Sequence, residues 1–158
     1  MSAHLLDKIR QHLQKNDLAG AVDIAKRAYL NDDFDPLVLN LVAFNLENEG
    51  DLEGALRVLG ESTVRAPEDA MTYANIGHCL VKLARPTHAL EAFNAALRLD
   101  PQLPRAHHGA GLALWMLGDL DSAEQAQLRA IGLDPKYPDP YGALAVLLAQ
   151  RGDHGRAT

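Results

Sequence analysis

Aromatic side chains are scarce in this chain, 5% of 158 residues, whereas sheet-based cores draw heavily on them together with Val and Ile. Beside abundant Ala and Leu, that scarcity points to helices packed through small residues. Cysteine occurs once, as Cys79. A single thiol excludes an internal disulfide and any multi-cysteine metal site. Its place in an apolar helical stretch makes it a buried small residue rather than a nucleophile. Positive charge is also short: 15 Lys and Arg against 21 Asp and Glu leave a formal net charge of −6. There is no basic cluster of the kind that nucleic-acid phosphates reward, so no nucleic-acid partner is expected. Long apolar runs are missing too. The longest, "GALAVLLA" (Gly142 to Ala149), is too short to cross a bilayer, so no membrane partner is expected. Asp7, Lys8 and Arg10 break up the start "MSAHLLDKIRQHLQ", which therefore lacks the core of a secretory signal. A cytoplasmic location is the expectation.

Catalytic signatures are absent as well. None of the seven histidines falls in a His-Glu-x-x-His or Cys/His ligand spacing. His107 and His108 are adjacent, so on a helix they point about 100° apart and make poor joint ligands. Gly109-x-Gly111 follows no strand and is not a dinucleotide fingerprint. Trp115 and Met116 on a helix read as packing. No cofactor, metal or catalytic residue is expected.

What is present is a repeat. "ALRLDPQLPRA" (Ala96 to Ala106) and "AIGLDPKYPDP" (Ala130 to Pro140) end two helices in nearly the same words, and Pro101 and Pro135 stand 34 residues apart. The same step back lands on Pro67 and then on Asp33. Alanine recurs in register at Ala21, Ala55, Ala89, Ala123 and Ala157, and a small or branched residue at Ile9, Ala43, Gly77, Gly111 and Ala145. A turn phrase recurs around Asp17, Asp51, Asp119 and Asp153. Within a unit the apolar period is helical: Tyr73, Ile76, Gly77, Leu80 and Ala84 form one stripe, and Ala89, Leu90, Phe93, Ala96 and Leu97 a second. Gly-Asp breaks the pair and Asp-Pro stops it. Each unit reads as helix, tight turn, helix, stop.

This unit resembles the tetratricopeptide repeat, W-x2-L-G-x2-Y, A-x3-F, P over 34 residues. The third unit gives Tyr73-x2-Ile76-Gly77-x2-Leu80, Ala89-x3-Phe93, Pro101. The fourth gives His107-x2-Ala110-Gly111-x2-Leu114, Ala123-x3-Gln127, Pro135. The second gives Leu39-x2-Val42-Ala43-x2-Leu46, Ala55-x3-Leu59, Pro67, and the fifth begins Tyr141-x2-Leu144-Ala145-x2-Leu148. The first, with Lys8 and His12 at positions usually apolar, fits least. The resemblance implies an all-α right-handed superhelix. It would be one array over residues 1–158, with repeats at 2–35, 36–69, 70–103 and 104–137 and a partial unit at 138–158 that contributes a first helix.

The resemblance further implies a non-catalytic protein-interaction scaffold that holds a partner peptide or helix in a concave groove. The family's groove positions map onto Asn40, Phe44, Asn48, Met71, Asn75, His78, Lys82, Arg105, His108, Leu112 and Met116. Asn amides suit a peptide main chain, and Phe44, Met71, Leu112 and Met116 suit apolar pockets. Lys82, Arg105, His78 and His108 would make a basic strip favouring an acidic or C-terminal carboxylate ligand. Asn40 and Phe44 stand where the family's carboxylate clamp has Lys and Asn, which argues against a chaperone-tail clamp. Asn75 and Arg105 match only fragments of it. Tyr141, Leu144, Leu147 and Leu148 on the fifth unit's uncapped helix form a candidate self-association surface, giving a homodimer. Two alternatives follow from the same features: an interaction arm of a larger enzyme, such as a hydroxylase, sulfotransferase or glycosyltransferase, or a self-assembly module.

Overall fold

The computed structural model describes residues 2–157, with side chains for residues 3–152. Nine helices, and no strand, account for the described residues. They are α1 (Ser2–Gln14), α2 (Leu18–Leu30), α3 (Pro36–Asn48), α4 (Leu52–Arg65), α5 (Ala70–Lys82), α6 (Pro86–Leu99), α7 (Pro104–Met116), α8 (Leu120–Leu133) and α9 (Asp139–Ala157). First helices start at 2, 36, 70 and 104, and second helices at 18, 52, 86 and 120. The helices therefore keep the 34-residue step of the sequence. By internal contacts the chain divides into two compact units, with the boundary between Asn75 and Ile76 inside α5.

The turn inside each helix pair is the same structure four times. Asn16, Gly50, Ala84 and Gly118 all take positive φ, at 60°, 85°, 57° and 86°. The next amide returns to the helix it has just left: Asp17 N–H donates to the His12 carbonyl, Asp51 to Leu46, Arg85 to Leu80 and Asp119 to Leu114, at 2.8 to 3.0 Å. This is the left-handed helix termination that glycine favours. The following residue then caps the next helix. The Asp17, Asp51 and Asp119 carboxylates accept from the N–H groups of Gly20, Gly54 and Ser122. In the third pair Arg85 makes no such side-chain bond, and Pro86 opens the helix instead. At the stops, Asp100 and Asp134 are extended C-caps whose carboxylates accept from the Gln102 and Lys136 N–H groups at 3.0 and 3.2 Å. Each Asp-Pro thus folds a small turn of its own and ends a helix.

The fifth copy departs from the sequence expectation. The phrase around Asp153 should turn at Gly152, yet α9 continues as one helix to Ala157. At the other four sites a second helix packs back and rewards the left-handed residue. Among the described residues no second helix follows α9, and its hydrogen-bond ladder runs through Gly152. The side chain of Ala157, the last of the recurring alanines, lies outside the described residues.

Small residues build the helix crossings. Ala21, Ala55, Ala89 and Ala123 are all fully buried, as are Ala28, Ser62, Ala96 and Ala130 one step of 34 apart. In the second unit Phe93 is fully buried against two glycines. A Cβ at Gly77 would sit 2.7 Å from the ring, and one at Gly109 would overlap it. At the matching place in the next repeat stands Gln127, also fully buried. Its amide donates to the His108 carbonyl at 3.1 Å, and its Oε1 meets His108 Nδ1 at 2.8 Å. A polar side chain is tolerated there because both ends are satisfied. Cys79 is fully buried, as its sequence context implies.

Candidate functional site

In the first unit the family-mapped residues lie on α3 and the start of α5. Asn40 stands at the centre of a polar network joining α3, α4 and α5. Its Nδ2 donates to the Pro36 carbonyl at 2.8 Å, to Thr72 Oγ1 at 3.0 Å and to Ser62 Oγ at 3.4 Å. Its Oδ1 accepts from Asn75 Nδ2 at 3.0 Å, and Thr72 in turn donates to Asp69 at 3.0 Å. Ser62 and Thr72 are fully buried. The Asn40 amide is therefore engaged with neighbouring helices rather than turned outward to a peptide. Sequence reasoning treated Asn40 and Asn75 as separate contacts and missed Ser62 and Thr72; a hydroxyl in place of the recurring alanine at position 62 was the available signal. Phe44, Met71 and Asn48 are exposed, the first two at 38% and 39%.

In the second unit His78, Lys82, Arg105, His108, Leu112 and Met116 lie on α5 and α7. His78 is half-buried, edge-on to Phe93 with ring centroids 5.0 Å apart. Burial holds its pKa down to about 3, and the positive charges of Arg105 and Lys82 push the same way. Its Nε2 is buried with no hydrogen-bond partner among the described residues. Two cationic side chains, Arg105 and Lys82, therefore act together on one small region, and His78 sits in it uncharged at neutral pH. Lys82 and Met116 are exposed, and Arg105 and Leu112 are half-buried.

His108 is a correction to the groove set. It is only 6% exposed, held inward by Gln127 and edge-on to Tyr137 at 5.6 Å. The buried Gln127 needs a partner for each end of its amide, and His108 supplies both. Because the Gln127 amide nitrogen already donates to the His108 carbonyl, its Oε1 must accept, which puts a proton on His108 Nδ1. Burial raises the Tyr137 hydroxyl pKa, with a further push from Asp139.

On α9, Tyr141, Val146 and Leu148 are exposed at 46%, 50% and 51%, and Leu144 is half-buried. Leu147, placed on the self-association surface by its sequence position, is instead 2% exposed. With Leu112, Trp115 and Val146 it lines a small apolar cavity of about 120 Å³ between α7 and α9. The end of α9 is pinned by Trp115 Nε1 donating to Gln150 at 2.8 Å, and by Arg151 pairing with Asp121 and Glu124 on α8. Tyr141 reaches back to the Pro135 carbonyl at 2.7 Å, as His107 does to Pro101 at 2.8 Å, one step of 34 earlier.

Among the described residues no group of three or more His, Cys, Asp or Glu could hold a metal ion. No described helix is long and apolar enough to cross a membrane.

The repeated helix pair, its left-handed turn and its buried alanines define a helical-repeat protein. The sequence profile of the tetratricopeptide repeat matches residues 45–104 and again 75–138, and the chain belongs to that family. Among curated relatives, the Hsp70-Hsp90 organising protein of Plasmodium falciparum is 27% identical over 97 residues, 61% of this chain and 38% of the relative. Cellulose synthase 2 operon protein C of Komagataeibacter xylinus is 32% identical over 122 residues, 76% of this chain and 9% of the relative. The chain thus spans well under half the length of these relatives. Among solved structures, MamA from Desulfovibrio magneticus RS-1 superposes with a TM-score of 0.74 at 23% identity, over 98% of this chain and 88% of that one. The first repeat domain of Spaghetti (RPAP3), bound to the HSP90 peptide SRMEEVD, gives 0.71 at 19% identity over 75% and 94%. Both likenesses concern the fold.

Proposed function

We propose that this chain is a non-catalytic protein-interaction scaffold, and that its second unit takes an acidic peptide segment beside Lys82 and Arg105. The observation that carries this reading is the half-buried His78, whose Nε2 is buried with no hydrogen-bond partner among the described residues and whose pKa the charges of Arg105 and Lys82 both lower. A region where two cationic side chains reinforce one another at a partly desolvated spot attracts a carboxylate more strongly than scattered surface charge does. The chain as a whole carries a net charge of −6, which repels the same ligand from the rest of the surface. The repeat family and the peptide held by the RPAP3 domain favour a peptide over a small acid. The test is capture of acidic peptides by the wild-type chain and by a Lys82→Glu, Arg105→Glu double variant. Capture that survives both reversals sinks the reading.

A second reading is favoured by the exposed apolar face of α9. Tyr141 and Leu148, seven residues apart and so on one side of the helix, are both exposed and offer a surface for pairing two copies of the chain. Sedimentation of the wild type and of Leu148→Asp tests it: a dimer that the variant dissolves supports the pairing, and a wild-type monomer at high concentration opposes it.

A further inference from the structure

The packing around Phe93 has a full counterpart one repeat later, and the counterpart is filled differently. The Phe93 ring lies between Gly77 on α5 and Gly109 on α7, where a Cβ at either glycine would meet it. One step of 34 on, the three positions are Gly111 on α7, Gln127 on α8 and Ala143 on α9. Gln127 is fully buried, but a carboxamide is smaller than a phenyl ring, and this one is turned to His108 at both ends. A Cβ at Gly111 would run into its amide nitrogen, so the side chain keeps to the α7 side of the slot. On the α9 side remains the cavity of about 120 Å³, whose wall Leu112, Trp115, Val146 and Leu147 complete.

Size and chemistry narrow what such a space takes. An apolar protein cavity of about 150 Å³ binds benzene, so one slightly smaller accommodates a single six-membered ring and little more. Among the described residues its lining holds no Asp, Glu, Lys or Arg. A charged ligand would therefore lie there without a counter-ion, at a heavy desolvation cost. The indole nitrogen of Trp115 is engaged with Gln150, which leaves Gln127 as the polar group of the wall. Of its two N–H hydrogens and two carbonyl lone pairs, His108 takes one of each, so one donor and one acceptor remain. Trp115 and Val146 are exposed and Leu112 is half-buried, whereas Leu147 is buried. The first three form the mouth and Leu147 the floor.

We infer that the α7–α9 cavity is a binding site for a small neutral aromatic molecule, a single ring of the benzene or phenol class. The ring takes the place that the Phe93 side chain holds one repeat earlier, against Leu112, Trp115 and Leu147. A hydroxyl on it meets the remaining N–H or lone pair of Gln127. A ring with one substituent fills the space and leaves no room for a main chain, so the occupant is a free molecule. No charged side chain takes part, and the site stands or falls independently of the acidic-peptide reading.

Trp115 is the only tryptophan of the chain, so its fluorescence reports on the cavity directly. The experiment is titration of the full chain with phenol, benzene and benzoate, read by Trp115 emission and by the thermal midpoint. Phenol should change the emission saturably and raise the midpoint as its concentration increases. Benzene should do the same more weakly, and benzoate should do neither. Two variants fill the space: Ala143→Leu from the α9 side, and Gln127→Phe with Ala143→Gly, which rebuilds the Phe93 arrangement of the preceding repeat. Each should weaken phenol binding at least tenfold while keeping the helical circular dichroism of the wild type. If the double variant fails to fold because His108 has lost its partner, Ala143→Leu decides alone. A wild type without a saturable response to phenol, an equal response to benzoate, or undiminished binding by Ala143→Leu would each overturn the site.

Discussion

Ala84 holds a φ of 57° in a place where two of its three counterparts are glycine. A left-handed alanine costs about 1–2 kcal/mol through the contact of its Cβ with the following carbonyl, while glycine gives back some of that gain as extra freedom when unfolded. Ala84→Gly is therefore expected to stabilise the chain by about 0.5–1 kcal/mol, and Gly118→Ala to destabilise it by a similar amount, read from urea denaturation. His78 gives a second prediction at this scale. Its folded pKa of about 3 lies below the unfolded value of 6.5, so the unfolded chain binds the extra proton between those values. The stabilising contribution is whole above pH 6.5 and is lost as pH falls toward 3, with a slope on the order of 1 kcal/mol per pH unit. His78→Gln should flatten the pH dependence of stability in that window relative to wild type, and equal slopes in the two proteins would refute the assignment.

Among the elements, crossings made by buried alanine and glycine leave no room for growth. Ala89→Leu and Ala123→Leu add bulk at fully buried positions and should each cost about 1–3 kcal/mol, seen as a lower thermal midpoint. Gly77→Ala should clash with Phe93 and be relieved when Phe93 becomes Leu, the residue found at that register position in the second repeat as Leu59. Independent, additive losses would mean the two do not touch. The helices themselves were legible in the sequence because the apolar period repeats every 34 residues and the turn chemistry agrees with it at Asp17, Asp51 and Asp119. What was not legible is how side chains inside a helix divide between neighbours and solvent. His108 and Leu147 occupy register positions that read as outward, yet the buried Gln127 and the cavity against α7 draw them in. Gly152 carried a turn signal, yet α9 runs through it as one helix.

For the whole molecule, the central claim is that departures from the repeat, rather than the repeat itself, set the ligand. Lys82 and Arg105 stand where neighbouring units carry Asn48, Met116 and Asp139, and those exchanges put positive charge on an otherwise acidic chain. The most direct test is fluorescence anisotropy at neutral pH with two labelled peptide pools of equal length, one rich in Asp and Glu and one rich in Lys. The acidic pool should bind the wild type, weaken as salt is raised, and lose its advantage to the basic pool on Lys82→Glu, Arg105→Glu. Equal binding of the two pools, or an acidic preference that survives the double reversal, would contradict it.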